Sequence, residues 1–237
     1  MCYTFYKAVS TSPGNPPLDW LPNVPEIELT YAKERYQLSV DKKQKLIDML
    51  YPAQYCGECH AFRPNRSYHC KKCGKCILRR DHHCPWIGQC VGQKNYKYFI
   101  LFLWYAPLML SLGVCWHANG FWRDFVEQHH QMGTWWDEVK APIRIFSGVV
   151  QGALVFGILM LTVTHTYHLC INTTGQEMIE LAGLRKNKAT QARVSMFSKT
   201  AKENINEVMG KRWVDWILPT VVPGDGIHFV KRADTDV

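Results

Sequence analysis

Charged side chains are missing from two long parts of the chain. No Asp, Glu, Lys or Arg occurs from Tyr98 to Trp122 or from Ile145 to Gln176, and both stretches are rich in apolar residues. A helix needs about 20 predominantly apolar residues to cross a bilayer. One such run could be a buried helix of a soluble protein, but two in 237 residues favour membrane spanning. The chain also lacks internal repeats and low-complexity segments, which argues against a repeat array.

Acidic residues are scarce around the cysteines. The formal net charge is +8, and the segment from Cys56 to Lys97 holds nine Lys and Arg residues against two acids, Glu58 and Asp81. Such an excess indicates an anionic partner, namely nucleic acid, a membrane surface or an anionic substrate. A solvated basic surface would have the same composition. Because a predicted membrane span begins at the end of this segment, we expect lipid headgroups and an anionic cosubstrate, and no nucleic acid.

The first ten residues lack the pattern of a secretory signal, since they contain one Lys and no apolar core of useful length. Ten cysteines are nevertheless present, and seven of them fall within 35 positions beside four histidines. An odd number of cysteines, arranged as C-x2-C pairs and mixed with His, indicates metal ligation in a reducing compartment. Structural zinc takes four such ligands. Two zinc ions would therefore use eight of the eleven candidates and leave three.

The charges around the two apolar runs predict the orientation of the chain. The connector from Arg123 to Lys140 has four acids and two bases, whereas nearly all the other Lys and Arg residues lie outside the runs on their other sides. Positively charged flanks stay in the cytosol. We expect both termini and the Cys/His lobe in the cytosol, which agrees with reduced cysteines. The predicted segments are 1–55 (the end of an upstream membrane helix, then a cytosolic linker), 56–97 (cysteine-rich lobe), 98–122 (transmembrane helix), 123–142 (lumenal connector), 143–171 (transmembrane helix) and 172–237 (cytosolic tail).

The string Asp81-His82-His83-Cys84 has the residue types of a nucleophile and its base. A thiolate is the reactive form of cysteine, and an adjacent imidazole can take the thiol proton. A carboxylate that holds the imidazole in one tautomer would complete a triad. One of the two histidines could bind zinc while the other serves Cys84. All four residues could equally be metal ligands or surface groups, so residue chemistry alone leaves both interpretations open.

The cysteine-rich segment resembles the DHHC family of protein S-acyltransferases, also called palmitoyltransferases. The family pattern is matched in full, in both order and intervals, and the resemblance extends from about Tyr3 to Pro219. The matching residues are Cys56, Cys59, His69, Cys70, Cys73, Cys76, the string from Asp81 to Cys84, Cys90, Asn95 and Phe99, with Pro64, Pro85, Trp86 and Gly92 in addition.

The resemblance implies a mostly α membrane protein, with transmembrane helices flanking a small cytosolic cysteine-rich lobe that holds two structural zinc sites. The first zinc ion would be bound by Cys56, Cys59, His69 and Cys76. The second would be bound by Cys70, Cys73, His83 and Cys90. His82 would then be the general base, Cys84 the nucleophile, and Asp81 the group that orients His82.

The family's reaction is a two-step acyl transfer. Cys84 would attack the thioester of a fatty acyl-CoA, such as palmitoyl-CoA, and release CoA. The acyl group would then pass to a cytosolic cysteine of a membrane-associated substrate protein. Basic residues near the site would hold the CoA phosphates, while the membrane helices shelter the acyl chain among lipids. The expected location is an endomembrane, the Golgi or the endoplasmic reticulum.

The chain departs from the family in two places. The Thr-Thr-x-Glu element after the last span appears as Thr173-Thr174-Gly175-Gln176-Glu177, so either Glu177 is displaced by one position or Gly175 replaces the second Thr. Family members usually have two membrane helices before the zinc lobe, and this chain begins where the second should end. We therefore expect a shortened product. The alternative function is a catalytically inactive, membrane-anchored zinc-binding interaction module.

Three further polar residues lie near the predicted spans. Asn204 matches the Asn of the family's C-terminal element, where it would satisfy backbone groups near the membrane helices. His165 and His168 lie one helical turn apart, close to the cytosolic end of the second run. Polar groups at membrane depth are costly and often functional. Their closeness to the interface favours snorkelling or a hydrogen bond to a neighbour instead.

Overall fold

The computed structural model describes residues 1–17, 20, 55–123, 135–183 and 197–229. Helices dominate this part of the chain, and a lobe of short hairpins lies between the first two of them. The helices are α1 (Cys2–Ser10), α2 (Tyr96–Trp122), α3 (Trp135–Cys170), α4 (Gly175–Gly183), α5 (Ala201–Met209) and α6 (Trp213–Ile217). Most of the predicted linker, much of the predicted connector and parts of the predicted tail lie outside the described residues.

Helices α2 and α3 are long and apolar enough to cross a membrane, over Tyr96–Trp122 and Val139–Cys170. None of the most apolar 18-residue window of α3 is buried inside the protein, and 33% of that of α2 is buried. The core helix of a soluble protein would hide its apolar surface from water. The exposed apolar surface of these helices instead suits contact with lipid.

Hydrogen bonds between the two long helices show that they pack antiparallel. The Thr162 hydroxyl donates to the Leu103 carbonyl at 2.8 Å, and Arg144 Nη1 donates to the Gly120 carbonyl at 2.8 Å. The later residue of α3 thus pairs with the earlier residue of α2, and the earlier residue of α3 pairs with the later residue of α2, so the two helices run in opposite directions. Small and polar side chains commonly join helices within a membrane in this way. The antiparallel packing brings the end of α3 beside the start of α2, next to the lobe.

The lobe consists of three antiparallel two-stranded hairpins. They are β1 (Tyr55–Cys56) with β2 (Ala61–Phe62), β3 (Tyr68–Cys70) with β4 (Lys75–Ile77), and β5 (His82–Cys84) with β6 (Gln89–Val91). An isolated hairpin of this kind is marginally stable in water. A lobe with so few apolar side chains needs further cross-links, and metal ligation supplies them in small domains.

The lobe is tied to α1 by side-chain amides. Gln89 Nε2 donates to the carbonyls of Ala8, Val9 and Thr11 at 3.1, 2.7 and 2.9 Å. Two of these carbonyls belong to the last turn of α1, where backbone acceptors have no partner within the helix. Asn95 Nδ2 adds a bond to the Ala8 carbonyl at 3.3 Å. The first helix is therefore fixed against the hairpin that contains Gln89.

The C-terminal helices brace the ends of the two long helices. Asn204 in α5 is completely buried, and its Nδ2 donates to the Cys170 carbonyl, at the end of α3, at 2.7 Å. This bond satisfies a backbone acceptor near a span, which is the role expected for Asn204. Lys97 at the start of α2 is also completely buried, and its Nζ donates to the Met209 carbonyl at 2.6 Å.

Candidate active site and metal centres

Two groups of side chains in the lobe could each hold a metal ion. Each group contains three cysteines and one histidine, and its ligand atoms all lie within 4.8 Å of one another. The first metal group is Cys56, Cys59, His69 and Cys76, and the second metal group is Cys70, Cys73, His83 and Cys90. The structure thus brings together the two sets that the resemblance implied. All ten cysteines are free of disulfides.

The distances within the metal groups suit tetrahedral zinc. His69 Nδ1 lies 3.2 Å from Cys59 Sγ and 3.6 Å from Cys56 Sγ. In the second metal group, His83 Nδ1 lies 3.3 Å from Cys73 Sγ. With zinc bonds of about 2.3 Å to sulfur and 2.0 Å to nitrogen, the edges of a tetrahedron measure about 3.5–3.8 Å. Both the donor atoms and their spacing therefore fit zinc.

A third group has different geometry. Ligand atoms of Asp81, His82 and His165 also lie within 4.8 Å of one another. However, His82 Nδ1 is 2.7 Å from Asp81 Oδ2. Two such ligands on one zinc ion would stand about 3.3 Å apart at ordinary bond lengths, whereas 2.7 Å is the length of a charge-assisted hydrogen bond. Asp81 and His82 therefore contact each other directly.

Alternation along strand β5 separates the reactive residues from the metal ligand. Successive side chains of a strand point to opposite faces. His82 and Cys84 therefore share one face of β5, while His83 between them points to the second metal group. Three consecutive residues thus serve two sites, because strand geometry divides them.

Asp81 is buried, and both of its carboxylate oxygens accept hydrogen bonds. Oδ2 accepts from His82 Nδ1, and Oδ1 accepts from the Gly175 backbone N–H at 2.8 Å. Burial by itself would raise the pKa of Asp81, but the hydrogen bonds from His82 and Gly175 and the charges of His165 and His82 together outweigh burial, and the pKa lies below its usual value. Asp81 is therefore ionised at neutral pH, as a carboxylate that orients an imidazole must be.

His82 links Asp81 to Cys84. Burial lowers the pKa of His82, but hydrogen bonds to Asp81 and Cys84 outweigh burial and raise that pKa to about 9. Burial raises the pKa of Cys84, whereas the hydrogen bond from His82 and the backbone N–H groups of Ile87 and Trp86 lower it below its ordinary value. These shifts favour a thiolate beside a protonated imidazole, which is the arrangement of an activated nucleophile.

The turn after Cys84 supplies the two backbone donors. A 3-10 helix, Pro85–Ile87, begins directly after Cys84. Pro85 fixes the backbone angle at the first position, where its missing N–H costs nothing. Gly88 ends the turn with φ of 69°, in the left-handed region that favours glycine. The sequence after the cysteine therefore forms a tight turn whose N–H groups stabilise its sulfur.

A buried ion pair holds the start of α4 against the lobe. Arg66 Nε donates to Glu177 Oε1 at 2.8 Å, and Arg66 Nη2 donates to Glu177 Oε2 at 2.9 Å. Arg66 also donates to the Asn172 side chain at 3.0 Å and to its carbonyl at 2.7 Å, and Arg79 donates to the same side-chain oxygen at 3.0 Å. The side chains of Arg66 and Glu177 are 1% and 3% exposed. This buried network sets the position of Gly175, which contacts Asp81.

The network also bears on the altered Thr-Thr-x-Glu element. Gly175 contacts Asp81, and a Cβ atom at Gly175 would lie 3.2 Å from Asp81 Oδ2. Glu177 binds Arg66 and accepts a hydrogen bond from the Thr174 N–H at 2.8 Å. The Glu177 N–H in turn donates to the Thr174 hydroxyl at 3.2 Å, so Thr174 and Glu177 cap the start of α4.

Sequence reasoning missed several members of this site. Arg66 and Arg79 were counted in the basic segment, but they are 5% and 4% exposed. No sequence pattern singles out Asn172, although its side chain accepts hydrogen bonds from both arginines at the end of α3. His165 lies beside Asp81, with its Nδ1 3.8 Å from Asp81 Oδ2. A local sequence pattern contains no sign of these pairings, because the partners come from distant segments.

Comparison with known proteins agrees with the site. A family model described as DHHC palmitoyltransferase matches residues 50–182. The chain is 28% identical over 240 residues to Palmitoyltransferase PFA3 of Saccharomyces cerevisiae, which covers 92% of this chain and 66% of the yeast protein. It is 29% identical to Probable protein S-acyltransferase 16 of Arabidopsis thaliana, over 99% of this chain and 78% of that protein. It is 32% identical to Palmitoyltransferase ZDHHC20-B of Danio rerio, over 98% of this chain and 72% of that protein.

The chain belongs to the DHHC palmitoyltransferase family. Its class is therefore that of the protein S-acyltransferases, as the motif predicted. The mostly helical structure, with two apolar helices and a cysteine-rich lobe containing two metal-binding groups, confirms the predicted fold class. The apolar helices and the family membership together show association with a membrane.

Proposed function

We propose that this chain moves a fatty acyl group from acyl-CoA to cysteines of membrane-associated proteins, through a thioester on Cys84. The observation that carries the proposal is the relay from Asp81 through His82 to Cys84. Its carboxylate is buried and ionised, its imidazole is bound at 2.7 Å, and its thiol has a lowered pKa. Residue chemistry alone could not separate a metal ligand from a base, and the direct Asp81–His82 hydrogen bond favours the base.

In the first step, the Cys84 thiolate attacks the carbonyl carbon of the acyl-CoA thioester. A bond forms between this carbon and Cys84 Sγ, and the bond to the CoA sulfur breaks. The CoA thiolate leaves and takes the proton from His82, which becomes neutral. Asp81 keeps the imidazole oriented and stabilises its protonated form. The step yields S-acylated Cys84 and free CoA.

In the second step, neutral His82 takes the proton of the acceptor cysteine. The resulting thiolate attacks the acyl carbon on Cys84, and the carbon–sulfur bond to Cys84 breaks. Cys84 leaves as a thiolate beside protonated His82, which restores the starting state. The lowered pKa of Cys84 supports this step as well, since a stable thiolate is a good leaving group.

The two metal groups are proposed to hold structural zinc ions. Each set of three thiolates and one imidazole fills a tetrahedron, so no position is open for water or substrate. Zinc bound there would cross-link hairpins that are too short to be stable alone. His83 and Cys90, as ligands on β5 and β6, would fix the hairpin that carries His82 and Cys84.

The proposed orientation places the lobe and both termini in the cytosol, where acyl-CoA and acceptor cysteines are available and thiols stay reduced. An endomembrane, the Golgi or the endoplasmic reticulum, is the proposed location. The acyl chain would lie among the apolar helices and lipids. Exposed basic residues of the lobe, such as Lys71, Lys72 and Lys94, are proposed to attract the CoA phosphates.

The test uses the purified full chain in detergent micelles with an alkyne-tagged palmitoyl-CoA and a single-cysteine acceptor peptide. We expect a hydroxylamine-labile label on the protein that then passes to the peptide. Cys84→Ser should abolish it, whereas Cys2→Ser, which removes an exposed cysteine far from the relay in sequence, should not. Absence of label from a chain that still binds two zinc ions would replace the proposal with the inactive interaction module.

A further inference from the structure

We propose that His165, on membrane helix α3, is a positioning residue for the acyl transfer, acting on Asp81 and His82. This inference rests on the proposed function. His165 Nδ1 lies 3.8 Å from Asp81 Oδ2, the oxygen that also accepts the hydrogen bond from His82. The ring is 8% exposed, and among the described residues Nδ1 has no hydrogen-bond partner. A buried ring nitrogen without a partner calls for an explanation, and His165 Nδ1 is distinguished by its approach to the Asp81 carboxylate.

The rings around His82 provide the second observation. The His165 ring centroid is 5.6 Å from that of His82 and 5.2 Å from that of Phe99. The Phe99 and His82 centroids are 5.4 Å apart. The three rings therefore contact one another, with Phe99 contributed by α2 and His165 by α3. The imidazole of His82 is held by both long helices as well as by its own strand.

This arrangement accounts for the orientation of the His82 ring toward Cys84. Asp81 binds Nδ1 of His82, which leaves Nε2 for the sulfur. A single hydrogen bond leaves the His82 ring free to rock about the line from Nδ1 to Asp81 Oδ2, and the Asp81 carboxylate can turn together with the ring. Contact with His165 and Phe99 limits the rocking, and a proton on His165 Nδ1 would attract the shared oxygen, 3.8 Å away, and limit the turning. Because a small misplacement of a catalytic group reduces the rate greatly, such support contributes to the reaction without touching the substrate.

The donor set admits one other interpretation, a third metal site. Two imidazoles and a carboxylate are a common set of metal ligands. The direct Asp81–His82 contact at 2.7 Å argues against an ion between them. His165 is therefore assigned to the carboxylate and the neighbouring ring, not to a metal.

His168 offers a matched control on the same helix. It lies one turn beyond His165, its ring is 5.7 Å from that of His165, and it is also 8% exposed. Its Nδ1 likewise has no hydrogen-bond partner among the described residues. His168 does not belong to the group of ligand atoms around Asp81. Its replacement tests for general damage to α3 without touching the relay.

The experiment measures kcat and KM for acylation of Cys84 in the full chain. It also measures the alkylation rate of Cys84 by iodoacetamide, resolved by peptide mass spectrometry, and the zinc content. We expect His165→Ala and His165→Phe to lower kcat by about 10- to 100-fold, with KM changed less than about twofold. His165→Asn, whose amide N–H can occupy the place of Nδ1 but which lacks the ring, should lose less kcat than His165→Phe, and His168→Ala should retain kcat within about threefold. All variants should keep two zinc ions per chain.

Two results would overturn the inference. One is full activity of His165→Phe, because the ring alone would then suffice. The other is an equal loss in His165→Ala and His168→Ala, which would indicate general damage to the helix. If His165→Ala loses zinc, the comparison of His165→Asn with His165→Phe still decides the matter. Failure of the wild type to take label would refute the proposed function itself, and the alkylation rates would then show separately whether His165 positions His82 against Cys84.

Discussion

Removal of the Arg66 guanidinium would leave the Glu177 carboxylate buried without its partner. Arg66 donates four hydrogen bonds, two to Glu177 and two to Asn172, and both charged side chains are almost fully buried. The guanidinium also lies 5.0 Å from the ring centroid of Phe197. Breaking a buried ion pair by removing one partner costs about 3–5 kcal/mol. We therefore expect Arg66→Met to lower the free energy of unfolding by that amount.

Arg212 provides a control of similar geometry and opposite exposure. It forms a two-point contact with Asp215 at 3.0 and 2.9 Å, but its side chain is 74% exposed. Exposed ion pairs contribute about 0–1 kcal/mol. Arg212→Met should therefore have little effect, although the same residue type is replaced.

The assay is thermal unfolding of the full chain in detergent, followed by release of zinc to a coloured chelator. For a chain of this size, 1 kcal/mol corresponds to about 2–4 °C, so Arg66→Met should lower the Tm by about 6–20 °C. The double variant Arg66→Met with Glu177→Gln removes the isolated charge and should recover part of the loss. Equal Tm values for Arg66→Met and Arg212→Met would refute the reasoning, because burial would then not determine the cost.

Three other predictions concern the relay and the metal groups. Gly175→Ala places a Cβ 3.2 Å from Asp81 Oδ2 and should slow acylation of Cys84 about tenfold. Gly157→Ala, in open space on α3, should leave the rate unchanged, and equal rates for the two variants would contradict the contact. Cys73→Ala should reduce bound zinc from two ions to one and abolish acyl labelling of Cys84, while Cys84→Ser should keep both ions. Loss of zinc from Cys84→Ser would contradict the separation of metal ligands from the nucleophile. The lowered pKa of Cys84 increases its thiolate fraction at neutral pH, so alkylation by iodoacetamide should rise less steeply from pH 7 to 8 than that of an unperturbed cysteine, which rises about eightfold. A rise of about eightfold at Cys84 would contradict the shift.

The sequence predicted the elements whose signals are local. Charge-free apolar runs predicted the two long helices, because a span depends on length and composition. The C-x2-C pairs indicated metal ligation, because a tight turn brings two sulfurs to one ion. The division of ligands into two interleaved sets came from the family resemblance. The structure gives its physical basis in the alternation of side chains along strands such as β3, where His69 and Cys70 point to different metal groups.

The sequence could not predict the buried polar contacts that hold the site together. Composition made Arg66 and Arg79 part of a basic surface, although both are buried against residues more than 90 positions away. Lys97 also belongs to the basic segment of the sequence, and it is completely buried. For His165 the sequence predicted snorkelling or a hydrogen bond to a neighbour, and it did not indicate that Asp81 would lie beside the ring. A charge count gives no information on pairing, and pairing of this kind depends on the whole fold.

The most direct test of the central claim is mass spectrometry of the full wild-type chain after incubation with palmitoyl-CoA. The account predicts one hydroxylamine-labile acyl group per chain on the peptide that contains Cys84, with release of an equal amount of CoA. It also predicts that an acceptor peptide removes this group from Cys84. Acylation confined to Cys2 or Cys115, or an unmodified Cys84 in a chain with both metal groups filled, would contradict it.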